Sequence, residues 1–184
     1  MSDTGPDASV DGGPAALEAA LLAGLVETVA SSPGPMRGIG VGDAGFGDPG
    51  VGVAGVRGVG IDVVDLARFR AVLDRRPGLV SRLFTPAEQT YANLVPDPVP
   101  RLATRFAAKE ATMKALGVGL GAFGFHDAAV VRDGRDAPTL VVTGAAASLA
   151  EAAGVGGWHL ALTHSDLVAA AVVVAVVRPT AVWL

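Results

Sequence analysis

Residues 56–76 read "VRGVGIDVVDLARFRAVLDRR", and this stretch contains a strand, a helix cap and a helix in succession. The valine- and isoleucine-rich "VRGVGIDVV" has the composition of a strand. Asp65 stands where an N-cap belongs. In the "LARFRAVLDRR" that follows, Leu66, Phe69 and Leu73 fall on one helical face, and Pro77-Gly78 ends the helix. A glycine-rich step that runs directly into a capped helix places Asp62 at a fixed strand edge.

A near-copy, "RGIGVGD", lies upstream at residues 37–43. Its "GVGDAG" (40–45) satisfies G-x-G-x-x-G, but a dinucleotide site needs that phrase between a strand and a helix, and here it runs into "FGDPG". Asp43 therefore reads as linker. Residues 1–55 are expected to form an acidic, Gly/Pro-rich extension, with one short helix in "PAALEAALLAGLVETVA" (14–30). The globular domain is expected over 56–184.

Downstream, "TPAEQTYANL" opens with Thr85 as cap, Pro86 at the first helical position and Glu88 closing a capping box. "VPDPVP" (95–100) breaks that helix, and "RLATRFAAKEATMKALG" starts another, with Gly117 as its C-cap. The remainder alternates: strand "AAVVRD", turn "GRDAP", strand "TLVVTG", helix "AAASLAEAAG", strand "WHLALTH", a turn at Ser165-Asp166 and a valine strand. The last two strands are expected to form an antiparallel hairpin. The fold class is α+β.

Composition removes several classes of function. There is no cysteine, so disulfides, thiolate metal sites and a cysteine nucleophile are excluded, and any metal must be held by oxygen or imidazole. "LVAAAVVVAVV" (167–177) is about half the roughly 20 residues of a spanning helix, and its valines suit a strand buried on both faces. The acidic N-terminus lacks the basic start of a secretory signal, so a cytoplasmic protein is expected, with no membrane attachment. No basic tract interleaved with aromatics favours nucleic acid.

Charge is unevenly distributed. Residues 1–56 hold one Arg and seven acids, 57–114 ten Lys+Arg and six acids, and 115–184 three Arg and five acids, giving segment charges of −6, +4 and −2. A basic middle speeds encounter with an acidic partner or a phosphate-rich ligand, although a solvated helix face would read the same way.

Three constellations could carry chemistry. On the helix of "RFAAKEATMKALG", Glu110 and Lys114 are four apart, as are Arg105 and Lys109, which by itself describes surface pairing. Together with Asp62, two carboxylates and a lysine make the minimal set for magnesium-assisted phosphate chemistry. In "LALTHSD", His164 ends an apolar strand, where it is either structural or a phosphate contact. Thr163, His164 and Ser165 are consecutive and there is no G-x-S-x-G elbow, which disfavours a nucleophilic triad.

In this order, "GVGID" with Arg68 six residues after Asp62, "RFAAKEATMKALG" and "LALTHSDLVAAAVVV" resemble the holo-acyl-carrier-protein synthase family, the small single-domain class of 4'-phosphopantetheinyl transferases. The resemblance spans residues 56–177. It implies Mg²⁺-dependent transfer of 4'-phosphopantetheine from coenzyme A to a serine of apo acyl carrier protein, in fatty acid or polyketide biosynthesis, with release of adenosine 3',5'-bisphosphate. It also implies the phosphopantetheinyl transferase fold, an antiparallel sheet with packed helices, assembling as a homotrimer with active sites at subunit interfaces.

Carried residue by residue, the resemblance makes Asp62 and Glu110 metal ligands and, with Lys114, the catalytic set. It makes Arg105, Lys109, Lys114, Gly117, Thr163 and His164 cofactor-binding, and Arg68 and Arg70 docking residues for the carrier. The chain has Ala161 and Thr163 where many relatives carry serines before the histidine. An inactive carrier-protein-binding module of the same fold is the alternative. A double-length transferase and a structural domain of a larger synthase are further alternatives.

Overall fold

The computed structural model describes residues 55–132 and 137–177. The expected helix at 14–30, Asp43 with its glycine phrase, and most of the "GRDAP" turn lie outside the described residues. Strand β1 is Val56–Asp65, and its last residue caps helix α1, Leu66–Arg75, accepting the Arg68 backbone N–H at 2.8 Å. Leu66, Phe69 and Leu73 are the buried residues of α1, as their spacing requires.

Short helices α2 (Leu79–Leu83) and α3 (Pro86–Ala92) follow, the second started by the full Thr85/Glu88 capping box. The long helix α4 runs Val99–Leu116, two residues earlier than its sequence pattern suggests. Its first turn absorbs Pro100, whose missing N–H would have no intrahelical partner, and Asp97 accepts the Val99 N–H at 3.1 Å. Gly117 ends it in the left-handed conformation, φ 69°.

A 3₁₀ turn at Phe125–Asp127 leads to β2 (Ala128–Val131), paired antiparallel with β3 (Thr139–Val142). Helix α5 (Gly144–Ala152) precedes β4 (Val155–His164) and β5 (Val168–Val177). The expected terminal hairpin is present, with β5 at the centre of an antiparallel sheet of order β1-β5-β4.

Helix α4 lies across that sheet and is buried almost all round, so the core forms between them. Phe106 stacks with Phe125 and contacts Phe69, at centroid distances of 5.8 and 5.5 Å. The glycines of "RGVGID" permit this approach. A Cβ on Gly60 would land on the carbonyl oxygen of Ala111, and one on Gly58 on that of Ala115. They are spacers for close helix–strand packing, with no phosphate-cradling turn between them.

One expectation is corrected. The valine strand is fully buried on one face only, through Ala169, Ala171, Val173 and Ala175 against α4. Its other face is half-exposed and continues into Val59 and Ile61 of β1, 59% and 58% exposed, because the helices cover a single side of the sheet. Among the described residues no helix is long and apolar enough to cross a membrane.

Candidate active site

β1 alternates its side chains, so Asp62, paired with Ala171, points to the helix side of the sheet and is buried. Opposite it, α4 presents Glu110 and, one turn later, Lys114. The Lys114 ammonium donates to Asp62 Oδ1 at 3.0 Å and to the Ile61 carbonyl at 3.1 Å, while its side chain stays 45% exposed. The spacer glycines set β1 close enough to α4 for these three groups to meet.

The electrostatics of the three are unbalanced. Burial pushes the Asp62 carboxyl above its ordinary range, against the lowering effect of Lys114. Glu110 is pushed up to about 7, first by burial and then by the negative charge of Asp62, with Lys114 opposing. Glu110 Oε1 is buried without a hydrogen-bond partner among the described residues. Two buried carboxylates and one half-exposed ammonium leave a deficit of positive charge.

A divalent cation with a preference for oxygen fits that deficit. Mg²⁺ takes one or two carboxylates and completes its octahedron with water and substrate phosphates, so a two-carboxylate set suits it. Among the described residues no group of three or more His, Asp and Glu could form a closed metal cage.

Lys109 must be corrected. It precedes Glu110 by one residue, but its ammonium points the other way, donating to Glu88 Oε2 at 2.9 Å and to the carbonyls of Phe125 and Ala128 at 2.8 and 2.7 Å. Both side chains are fully buried, so the three donors of Lys109 are consumed inside the protein and none is left for a cofactor. Glu88 is equally occupied, since its second oxygen accepts the Val130 N–H at 3.0 Å. The capping box was legible in the sequence; the buried ion pair, 21 residues apart, had no local signal.

Arg105 is also buried, its guanidinium 4.2 Å from the centroid of the Tyr91 ring and donating to the Arg101 carbonyl at 3.0 Å. Its Nε has no partner among the described residues, which is the kind of vacancy a phosphate oxygen would fill. Gly117 caps α4 beside Lys114. Thr163 and His164 end β4, exposed.

The register separates His164 from Asp62. His164 pairs with Ala169 and Asp62 with Ala171 on opposite sides of β5, which puts them about 12 Å apart by strand spacing and rise. His164 lines an open groove of about 290 Å³ together with Leu66, Arg70, Asp97, Pro100 and Asp166. Arg70 does not stand free there: it forms a two-pronged pair with Asp97 at 3.2 and 2.7 Å. The sequence showed "PDP" only as a helix breaker.

The chain and its fold have close likenesses. The family model of the 4'-phosphopantetheinyl transferase superfamily matches residues 58–172. Holo-acyl-carrier-protein synthases of Frankia alni and Clavibacter sepedonicus are 50% and 49% identical over 118 residues, covering 64% of this chain and 95% and 93% of theirs. The crystal structure of the synthase from Neisseria meningitidis superposes with a TM-score of 0.60 at 31% identity, over 66% of this chain and 98% of that one. The synthase from Bacillus anthracis, solved in complex with CoA (3',5'-ADP), gives 0.56 at 32% identity, over 67% and 98%.

Proposed function

The chain belongs to the 4'-phosphopantetheinyl transferase superfamily, and from that premise we infer that it is a holo-acyl-carrier-protein synthase. It transfers 4'-phosphopantetheine from coenzyme A to a serine hydroxyl of apo acyl carrier protein and releases adenosine 3',5'-bisphosphate. The observation that carries the site assignment is the buried Asp62–Glu110 pair, with Lys114 on Asp62 and one Glu110 oxygen unpartnered among the described residues. The transferase unit is residues 56–184.

Phosphoryl transfer needs charge neutralisation and alignment more than a covalent intermediate, which suits a site without a nucleophilic side chain. Asp62 and Glu110 would hold Mg²⁺, which when bound supplies Lewis-acid neutralisation of the phosphates. Lys114, half-exposed above the carboxylates, contacts the diphosphate and offsets charge on the leaving group. Glu110 takes the proton of the attacking serine, directly or through a water. Arg105 Nε and His164 contact phosphates of coenzyme A, and Thr163 and Gly117 border that path. Arg68 and Arg70 on α1 meet the acidic carrier.

The assembly is a homotrimer with sites at its interfaces. In support, the uncovered sheet face carries Val59, Ile61 and Val63 of β1 beside half-exposed Val172 and Val174, an apolar surface whose exposure to water is unfavourable. The separation of His164 from Asp62 within one protomer also suits a site completed by a second copy.

The test is to incubate the purified chain with apo acyl carrier protein, coenzyme A and Mg²⁺ and weigh the carrier, beside an Asp62→Ala/Glu110→Ala double variant. A gain of one phosphopantetheine with wild type alone, and only with metal, is expected. No gain with any carrier would leave the inactive binding module as the better reading.

A further inference from the structure

We propose that Asp97 is a specificity-determining residue for the carrier protein: it holds Arg70 in an internal ion pair that an incoming acidic surface must displace. The inference rests on the reading that an acidic carrier docks on α1. Arg70 and Asp97 are 27 residues apart in sequence, from α1 and from the turn before α4, and their side chains are 47% and 49% exposed. The pair therefore lies on the surface that docking would use.

Asp97 is not a loosely placed acceptor. The oxygen that receives Arg70 Nη1 also accepts the Val99 N–H at the start of α4, so the carboxylate is fixed to the end of the long helix. Arg70 cannot carry Asp97 with it when a partner arrives; it must exchange one carboxylate for another. Asp74, one turn on along α1, is the second acid that acts on Arg70, and Asp166 stands across the groove. Asp74, Asp97 and Asp166 are thus gathered near this arginine, although residues 57–114 as a whole carry a net +4.

The consequence is discrimination. An exposed pair of this kind is weak, so it masks Arg70 without locking it. A carrier whose surface presents dense negative charge to α1 competes successfully and gains the arginine. A less acidic carrier leaves the internal pair intact and loses that contact. Like-charge repulsion from Asp97 also penalises acidic partners that dock out of register.

Asp97→Asn tests this, because the asparagine side-chain oxygen can accept the same Val99 N–H while the charge is removed. Initial rates of carrier modification against carrier concentration are measured for wild type, Asp97→Asn, Arg70→Ala and the double variant. The expected result is a KM for carrier about two- to fivefold lower in Asp97→Asn, with kcat unmoved, and no such gain when Arg70 is alanine in both backgrounds. Asp97→Ser, whose hydroxyl can make the same short-range turn contact without charge, should reproduce the shift if Asp97→Asn is poorly folded. A KM that stays the same or rises in active, folded variants overturns the masking role and leaves the enzyme assignment standing. A wild type that modifies no carrier overturns both.

Discussion

Lys109 and Glu110 are neighbours on one helix and meet opposite fates. Lys109 is sealed among Glu88 and two carbonyls, with every donor used. Glu110 is buried beside another acid and, among the described residues, lacks a partner for one oxygen. A satisfied buried charge specifies structure, whereas an unsatisfied one stores a demand that a ligand can meet. The boundary between scaffold and site runs between two consecutive residues.

Breaking the satisfied side has the largest expected effect. Lys109→Met leaves Glu88 buried without its cation and should cost about 3–5 kcal/mol of stability, read by urea or thermal unfolding. Transfer activity should fall with the folded fraction, because the donors of Lys109 are all used inside the protein. If Lys109→Met folds normally yet binds coenzyme A weakly, the assignment of Lys109 to scaffold is wrong.

Relieving the unsatisfied side should have the opposite sign. The Glu110 pKa in the folded chain, about 7, lies above its ordinary 4.5, so its contribution to stability is complete below about pH 4.5 and is lost as pH rises to about 7. Glu110→Gln removes that loss. Without metal it should stabilise the chain by about 3 kcal/mol at pH 8 and by under about 1 kcal/mol at pH 5, measured as the difference in unfolding free energy. A stability change independent of pH would mean that the carboxyl is not held near neutrality.

The smallest effect sharpens how the two sides are brought together. Gly60→Ala would drive a methyl onto the Ala111 carbonyl, and α4 must lift from β1. A stability loss of about 1–3 kcal/mol is expected from the overpacking, with a weakened contact between Lys114 and Asp62. A crystal structure of the variant with α4 unmoved would rule out the spacer role.

Much of this fold could be read from the chain because its signals are local. The Asp65 cap, the Thr85-Glu88 box, Gly117 and the short turn between β4 and β5 each act within a few residues, and each stands where expected. The pairing of Asp62 with Glu110 was suggested by the resemblance, although Asp62 lies within β1 and not at its edge. What could not be read depends on distant partners. Glu88 meets Lys109 across 21 residues and Asp97 meets Arg70 across 27, and no spacing rule encodes either contact. The spacer role of the glycines in "RGVGID" could not be read either, since it depends on a helix more than 50 residues downstream. The uncovered valine face was invisible for a related reason: hydrophobicity shows that a face seeks cover, not whether its own chain supplies it.

The most direct test of the central claim, that Asp62 and Glu110 together serve a magnesium-dependent transfer, is the rate of carrier mass gain as a function of Mg²⁺ concentration in wild type and Glu110→Gln. The paired-carboxylate site predicts a saturable magnesium dependence in wild type and a rate that Glu110→Gln does not recover at saturating metal. Full activity of Glu110→Gln with the same magnesium midpoint would contradict it.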